Sequence, residues 1–136
     1  MNKDNLFKLQ KLQNAAARLV TRKRKRESVR MAMRELHWLR VESRIIFKLL
    51  LLVHKIVRGK CSKNLKITYK GHNCRPDDFL LLETRKVKTK YGKRRLWNAL
   101  PPEVRKEEDL QVFKKLVKTL LFVDTDGFLK KSFPYI

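Results

Sequence analysis

Between Arg44 and Arg58 the chain reads Ile45-Ile46-Phe47-Lys48-Leu49-Leu50-Leu51-Leu52-Val53-His54-Lys55-Ile56-Val57. On a helical wheel Ile45, Leu49, Leu52 and Ile56 make one stripe, and Ile46, Phe47, Leu50, Leu51, Val53 and Val57 spread apolar surface nearly all the way round. Such a helix has to be enclosed by other elements, so the stretch predicts a buried central helix beginning near Glu42 and stopped at Gly59. It is far short of the roughly 20 uncharged apolar residues that a membrane span needs. It also resembles a basic amphipathic target for calmodulin or an anionic membrane surface, but its apolar surface is too wide for a helix lying at an interface.

The rest of the chain offers partners for that helix. Leu9, Leu12, Ala16 and Leu19 recur at spacings of three, four and three, while Lys8, Gln10, Lys11 and Arg18 fall largely elsewhere. They predict an amphipathic helix over 6–20, capped by Asp4 or Asn5 and fraying through 21–27, where five cations stand side by side. Ser28 is placed to cap a second helix with Val29, Met33 and Leu36 on one face, running on to Trp38. Pro101 and Pro102 open a short helical turn through Val104 and Arg105. Asp109 then caps a last helix in which Phe113, Leu116, Val117, Leu120 and Leu121 lie on one face, with Lys114, Lys115 and Lys118 outside it.

Between the central and last helices the period changes. Leu65, Ile67 and Tyr69 alternate with Lys66, Thr68 and Lys70, turn residues Gly71 and Asn73 follow, and 79–82 and 87–91 are candidates for short strands. No repeat of fixed period is present. The fold class expected is mainly α: a small helical domain of about four helices with a basic, loop-rich or short-hairpin insertion. Residues 1–136 read as a single domain, comprising a helical part (1–59), the insertion (60–95), a C-terminal helical part (96–122) and a tail (123–136).

Catalytic chemistry is hard to find. Asp77 and Asp78 are adjacent, but Arg75 stands where a metal-dependent polymerase has an aromatic, and a turn after Pro76 accounts for the pair. Cys61, His72 and Cys74, with His37 or His54, lack the short paired spacing of a structural zinc site. His37 beside Trp38 reads as part of a packed corner, since no Ser or Cys nucleophile has a legible base. Four glycines make no phosphate loop. The expectation is a protein that is not an enzyme and needs no metal or cofactor. Residues 1–12 lack the apolar core of a secretory signal, which points to an intracellular protein whose two cysteines stay reduced.

Charge then becomes the dominant clue. Thirty-five Lys and Arg oppose 13 Asp and Glu in 136 residues, a formal charge of +22. A compact chain with that imbalance repels itself and gains from a polyanionic partner. The cations cluster twice. Arg22, Lys23, Arg24, Lys25 and Arg26, extended by Arg18 and Arg30, form the first cluster; Arg85, Lys86, Lys88, Lys90, Lys93, Arg94 and Arg95, with Tyr91, form the second. Basic side chains release counterions from a phosphate backbone, and an aromatic face stacks on unpaired bases, so RNA or DNA is the expected partner. Trp97, between Leu96 and Leu100, reads as core and leaves Tyr91 as the stacking residue. The first cluster also suits a nuclear import signal, and the second a solubilising face.

Several strings in order carry a resemblance: Leu9-Gln10-Lys11-Leu12-Gln13-Asn14-Ala15-Ala16-Ala17-Arg18; Arg34-Glu35-Leu36-His37-Trp38-Leu39; Arg44-Ile45-Ile46-Phe47-Lys48; Leu96-Trp97-Asn98-Ala99-Leu100-Pro101; and Phe113-Lys114-Lys115 through Lys118-Thr119-Leu120-Leu121-Phe122. Over roughly 6–122 the chain resembles the C-terminal, post-palm region of jockey-like, LINE-type non-LTR retrotransposon reverse transcriptases. The resemblance implies a basic helical appendage that helps hold template RNA or the target-primed duplex, with the catalytic motifs elsewhere in the polyprotein and a nuclear setting. Two departures stand out: Arg40 where many relatives have Pro, and fewer residues between Tyr91-Gly92-Lys93-Arg94 and Leu96-Trp97-Asn98. With Met1 at an internal point of the ancestral protein, the chain looks like a truncated element copy. Two further readings stand beside nucleic-acid binding. One is a helical module that docks on a protein such as a full-length reverse transcriptase or self-associates; the other is a fragment without selected function.

Overall fold

The computed structural model of the chain describes residues 3–24, 26–60, 81, 82 and 93–123, with the side chains of residues 3 and 93–95 outside that description. Six helices lie within them: α1 (Lys3–Thr21), α2 (Val29–Glu35), α3 (Val41–Val57), α4 (Lys93–Asn98), α5 (Pro102–Lys106) and α6 (Leu110–Val123). The mainly α class agrees with the periodicities. The helices outnumber the expected four because the helical turn that Pro101 and Pro102 announce is a helix of its own, α5, and because α4, at six residues, is too short to display a period. The predicted hairpin in 60–95 lies largely outside the described residues. The chain divides into two compact units, Met1–Ile45 and Ile46–Ile136.

In the first unit α1 and α2 meet at Ala17, Ala32 and Met33, with Val29, Leu36 and Trp38 packed against them. Ala17 and Ala32 are fully buried, and such small side chains let two helix backbones approach closely. The rest of α1's inner face is polar. Gln13 Nε2 donates to the Leu39 carbonyl at 2.7 Å, and the Val41 amide donates to Gln10 Oε1 at 3.0 Å. Gln10 Nε2 in turn donates to Asn14 Oδ1 at 2.8 Å. The apolar stripe that amphipathicity would turn inward is instead exposed, with Leu9 45%, Leu12 67% and Leu19 79% accessible. Hydrogen bonds to the chain entering α3 have selected the other face.

The helix ends share one device. At the end of α1, Arg22 takes a left-handed conformation (φ 53°), Lys23 N–H reaches the Arg18 carbonyl at 3.0 Å and Arg22 N–H reaches that of Leu19. His37 (φ 50°) repeats this after α2, with Trp38 N–H on the Met33 carbonyl at 2.8 Å, and Gly59 (φ 66°) repeats it after α3. These are Schellman closures. So α1 ends at Thr21 in a closure that satisfies the carbonyls of Arg18 and Leu19, where the sequence suggested a gradual end. The start signals also differ from expectation. Asp4 lies in the first turn of α1 and does not cap it, and Ser28 stands at the N-cap of α2 without a side-chain hydrogen bond.

In the second unit the core is formed by Ile46, Leu50 and Val53 of α3, Leu96 and Trp97 of α4, Val104 of α5, Phe113, Val117 and Leu121 of α6, and Leu82 and Leu100 outside the helices. Trp97 is fully buried, as its apolar neighbours implied. The buried face of α3 is rotated one residue from the expected stripe: Ile45, Leu49, Leu52 and Ile56 are only half-buried. His54 explains the choice. It is fully buried, stacks on Phe113 with centroids 4.2 Å apart, and its Nε2 donates to the Glu107 carbonyl at 2.9 Å. A polar ring can be enclosed only where an acceptor awaits it, so His54 sets the rotation of a helix that is otherwise apolar on most sides.

Two further side chains hold loop backbone. Asn98 clamps Leu82, accepting from its amide and donating to its carbonyl, both at 2.9 Å. Arg58 Nη2 reaches the carbonyls of Lys106 at 2.7 Å, Glu107 at 3.0 Å and Arg105 at 3.3 Å, which closes the end of α5. Asp109 caps α6 as expected, its Oδ1 accepting from the amides of Gln111 and Val112.

Candidate nucleic-acid interface

The first basic cluster occupies the corner between α1 and α2. Positions 18–35 carry eight Lys or Arg against two acids, Glu27 and Glu35. The corner also follows the C-terminal end of α1, where the helix dipole is negative and favours cations. That field, together with the Schellman closure at Arg22, lets a run of like charges turn sharply.

The corner's cations have different duties. Lys23 Nζ lies 2.7 Å from Glu35 Oε2 and ties the corner to the end of α2. The Arg24 amide donates to Glu27 Oε1 at 3.0 Å, so Glu27 holds the turn's backbone and not a guanidinium. Arg22, Arg24, Arg26 and Arg30 are exposed, while Arg18 is half-buried. The Nε of Arg18 is buried without a hydrogen-bond partner among the described residues. Lys25 lies outside the described residues. Arg22, Arg24 and Arg26 are therefore three exposed guanidinium groups within five residues of chain, and guanidinium forks of this kind match phosphate oxygens two at a time.

The second cluster is not assembled in the same way. Arg85, Lys86, Lys88, Lys90 and Tyr91 lie outside the described residues. Lys93, Arg94 and Arg95 begin α4, where only their helical backbone is described.

Sequence reasoning missed two structural cations and one histidine. Arg58 closes α5 and pairs with Glu108 at 3.3 Å, and Arg105 is buried with its Nε donating to the Leu100 carbonyl at 3.1 Å. His54 stands out in the sequence only as a candidate metal ligand. Burial lowers its pKa below the ordinary value, the Glu107 carbonyl opposes that shift, and the nearby charges of Arg58 and Lys60 add to it. The Asp109 carboxyl is also lowered, by the two amides it accepts from. His37 is exposed, and its left-handed backbone marks the corner after α2.

Among the described residues no three His, Cys, Asp or Glu side chains gather as a metal site. Cys61, His72, Cys74, Asp77 and Asp78 are not among those residues. No described helix is long and apolar enough to cross a membrane. No family model, curated protein or solved structure matches the chain.

Proposed function

We propose that the chain is a non-catalytic nucleic-acid-binding piece of a retrotransposon-type RNA-directed DNA polymerase, which acts in the nucleus by contacting the phosphates of template RNA or primer duplex. The observation that carries the reading is the α1–α2 corner, where Arg22, Arg24 and Arg26 are exposed within five residues while the two nearby acids are committed to Lys23 and to backbone. The order of strings shared with post-palm regions supports the choice of polymerase, and the +22 charge supports a polyanion. On this reading the corner's cations meet phosphates, so the contact is expected to be indifferent to sequence and governed by counterion release.

The test is fluorescence anisotropy of the purified chain on labelled single-stranded RNA and on matched duplex DNA, across a salt series. The expected result is tight binding to unrelated sequences, with log affinity falling linearly in log salt. Binding that is absent at low salt, or indifferent to salt, overturns the reading.

A further inference from the structure

α1 is anchored on one side and open on another. Its inner face is held by Gln10, Gln13 and Ala17, yet its largest apolar residues are exposed: Leu9 45%, Leu12 67%, Leu19 79% and Val20 61%. With the half-buried Ala16, the first three keep the three, four, three spacing of a coiled-coil seam, with Leu9 and Ala16 at a and Leu12 and Leu19 at d. Phe7 is a separate matter, since it lies under Lys11 Nζ at 4.6 Å on another face. A seam of nearly three turns left in water is the kind of face that binds a helix.

Charge decides which helix. Within α1 the g positions beside the seam are Lys8 and Ala15 and the e positions are Leu6, Gln13 and Val20, so the one charge on its flanks is the basic one of exposed Lys8. In a parallel pair of α1 helices Lys8 would face Gln13 of the other copy, and in an antiparallel pair no e or g position of α1 carries an acid for it to meet. Neither register offers an opposite charge, and each copy brings +22 of its own. We infer that the exposed seam of α1 is a docking surface for an amphipathic helix of another protein, one with Leu or Ile along its stripe and Asp or Glu on the flank facing Lys8. This stands apart from phosphate binding by the corner, because the seam residues carry no charge.

The experiment uses the full chain and synthetic three-heptad peptides. One probe has Ile and Leu at a and d with Glu at e and g; a second is the same composition scrambled, with equal charge and no stripe; a third has Lys in place of Glu. The proposal expects the acidic amphipathic peptide to bind at least about tenfold tighter than either control. It also expects the Leu12→Gln/Leu19→Gln chain to lose that preference while melting as wild type and keeping its RNA affinity. Equal binding of the scrambled peptide means adhesion to a basic surface and overturns the proposal. So does concentration-dependent self-association abolished by the double variant, which would make a second copy the occupant. A large fall in the variant's melting temperature also overturns it, because the seam would then be covered by the chain itself.

Discussion

The carbonyl of Glu107 can only accept, so the His54 nitrogen 2.9 Å from it, Nε2, carries the proton and Nδ1 is the bare one. Nδ1 is buried without a partner among the described residues, and a second proton there would be a charge with nothing to meet it. The folded-state pKa is therefore depressed below the ordinary value of about 6.5. A histidine lowered in this way contributes its full stability above that value and loses it as pH falls, by up to about 1.4 kcal/mol per pH unit until the folded pKa is reached. Urea melts between pH 8 and 5 are expected to show this slope. His54→Gln, whose amide can still donate to Glu107 but does not titrate, is expected to remove it; an unchanged slope in the variant would refute the assignment. At the same scale, Arg22 and His37 hold left-handed conformations that cost a non-glycine residue about 1 kcal/mol. Arg22→Gly should raise stability by up to about that amount in equilibrium denaturation. Gly59→Ala should lower it similarly, although no atom lies within 4 Å of the added Cβ, because the cost is conformational alone.

Among the elements, α3 and α6 were legible and the inner face of α1 was not. Phe113, Val117 and Leu121 are buried as their spacing requires, whereas Leu116 of the same expected face is 38% exposed, and Asp109 caps the helix that carries them. Periodicity assumes that the apolar side of a helix is the buried one. In α1 that assumption fails, because hydrogen bonds from Gln10 and Gln13 to the backbone at Leu39 and Val41 orient the helix. Amide side chains carry no period, and their partners are more than twenty residues away in sequence. The consequence is a reversal of ordinary hydropathy. Gln13→Ala is expected to cost about 1 kcal/mol or more by orphaning a carbonyl partner. Leu12→Ala, on the exposed seam, should stay within about 0.5 kcal/mol of wild type. Urea denaturation of the two variants checks the order, and the opposite ranking would put the seam in the core. In α3 the sequence identified a buried helix but not which face turns furthest inward, because apolar residues on most sides leave that to the one polar ring among them.

For the molecule as a whole, the composition pointed to a basic helical chain without specifying which cations are free. Lys23, Arg58 and Arg105 are engaged by Glu35, by the end of α5 and by the Leu100 carbonyl, none of which is visible before the chain folds. Those assignments leave Arg22, Arg24 and Arg26 at the corner as the side chains that a phosphate backbone would meet. Arg22 offers an unusual control, since replacing it by Gly removes a charge while relieving a left-handed residue, so a loss of binding cannot be ascribed to unfolding. The most direct measurement is the salt dependence of single-stranded RNA binding by wild type and by Arg22→Gly/Arg24→Gln/Arg26→Gln, beside melts of both proteins. The account predicts weaker binding to every sequence and a log–log slope shallower by about 0.7 for each phosphate that is no longer neutralised, in a protein that melts no lower than wild type. An equally stable variant with wild-type affinity and slope would contradict it.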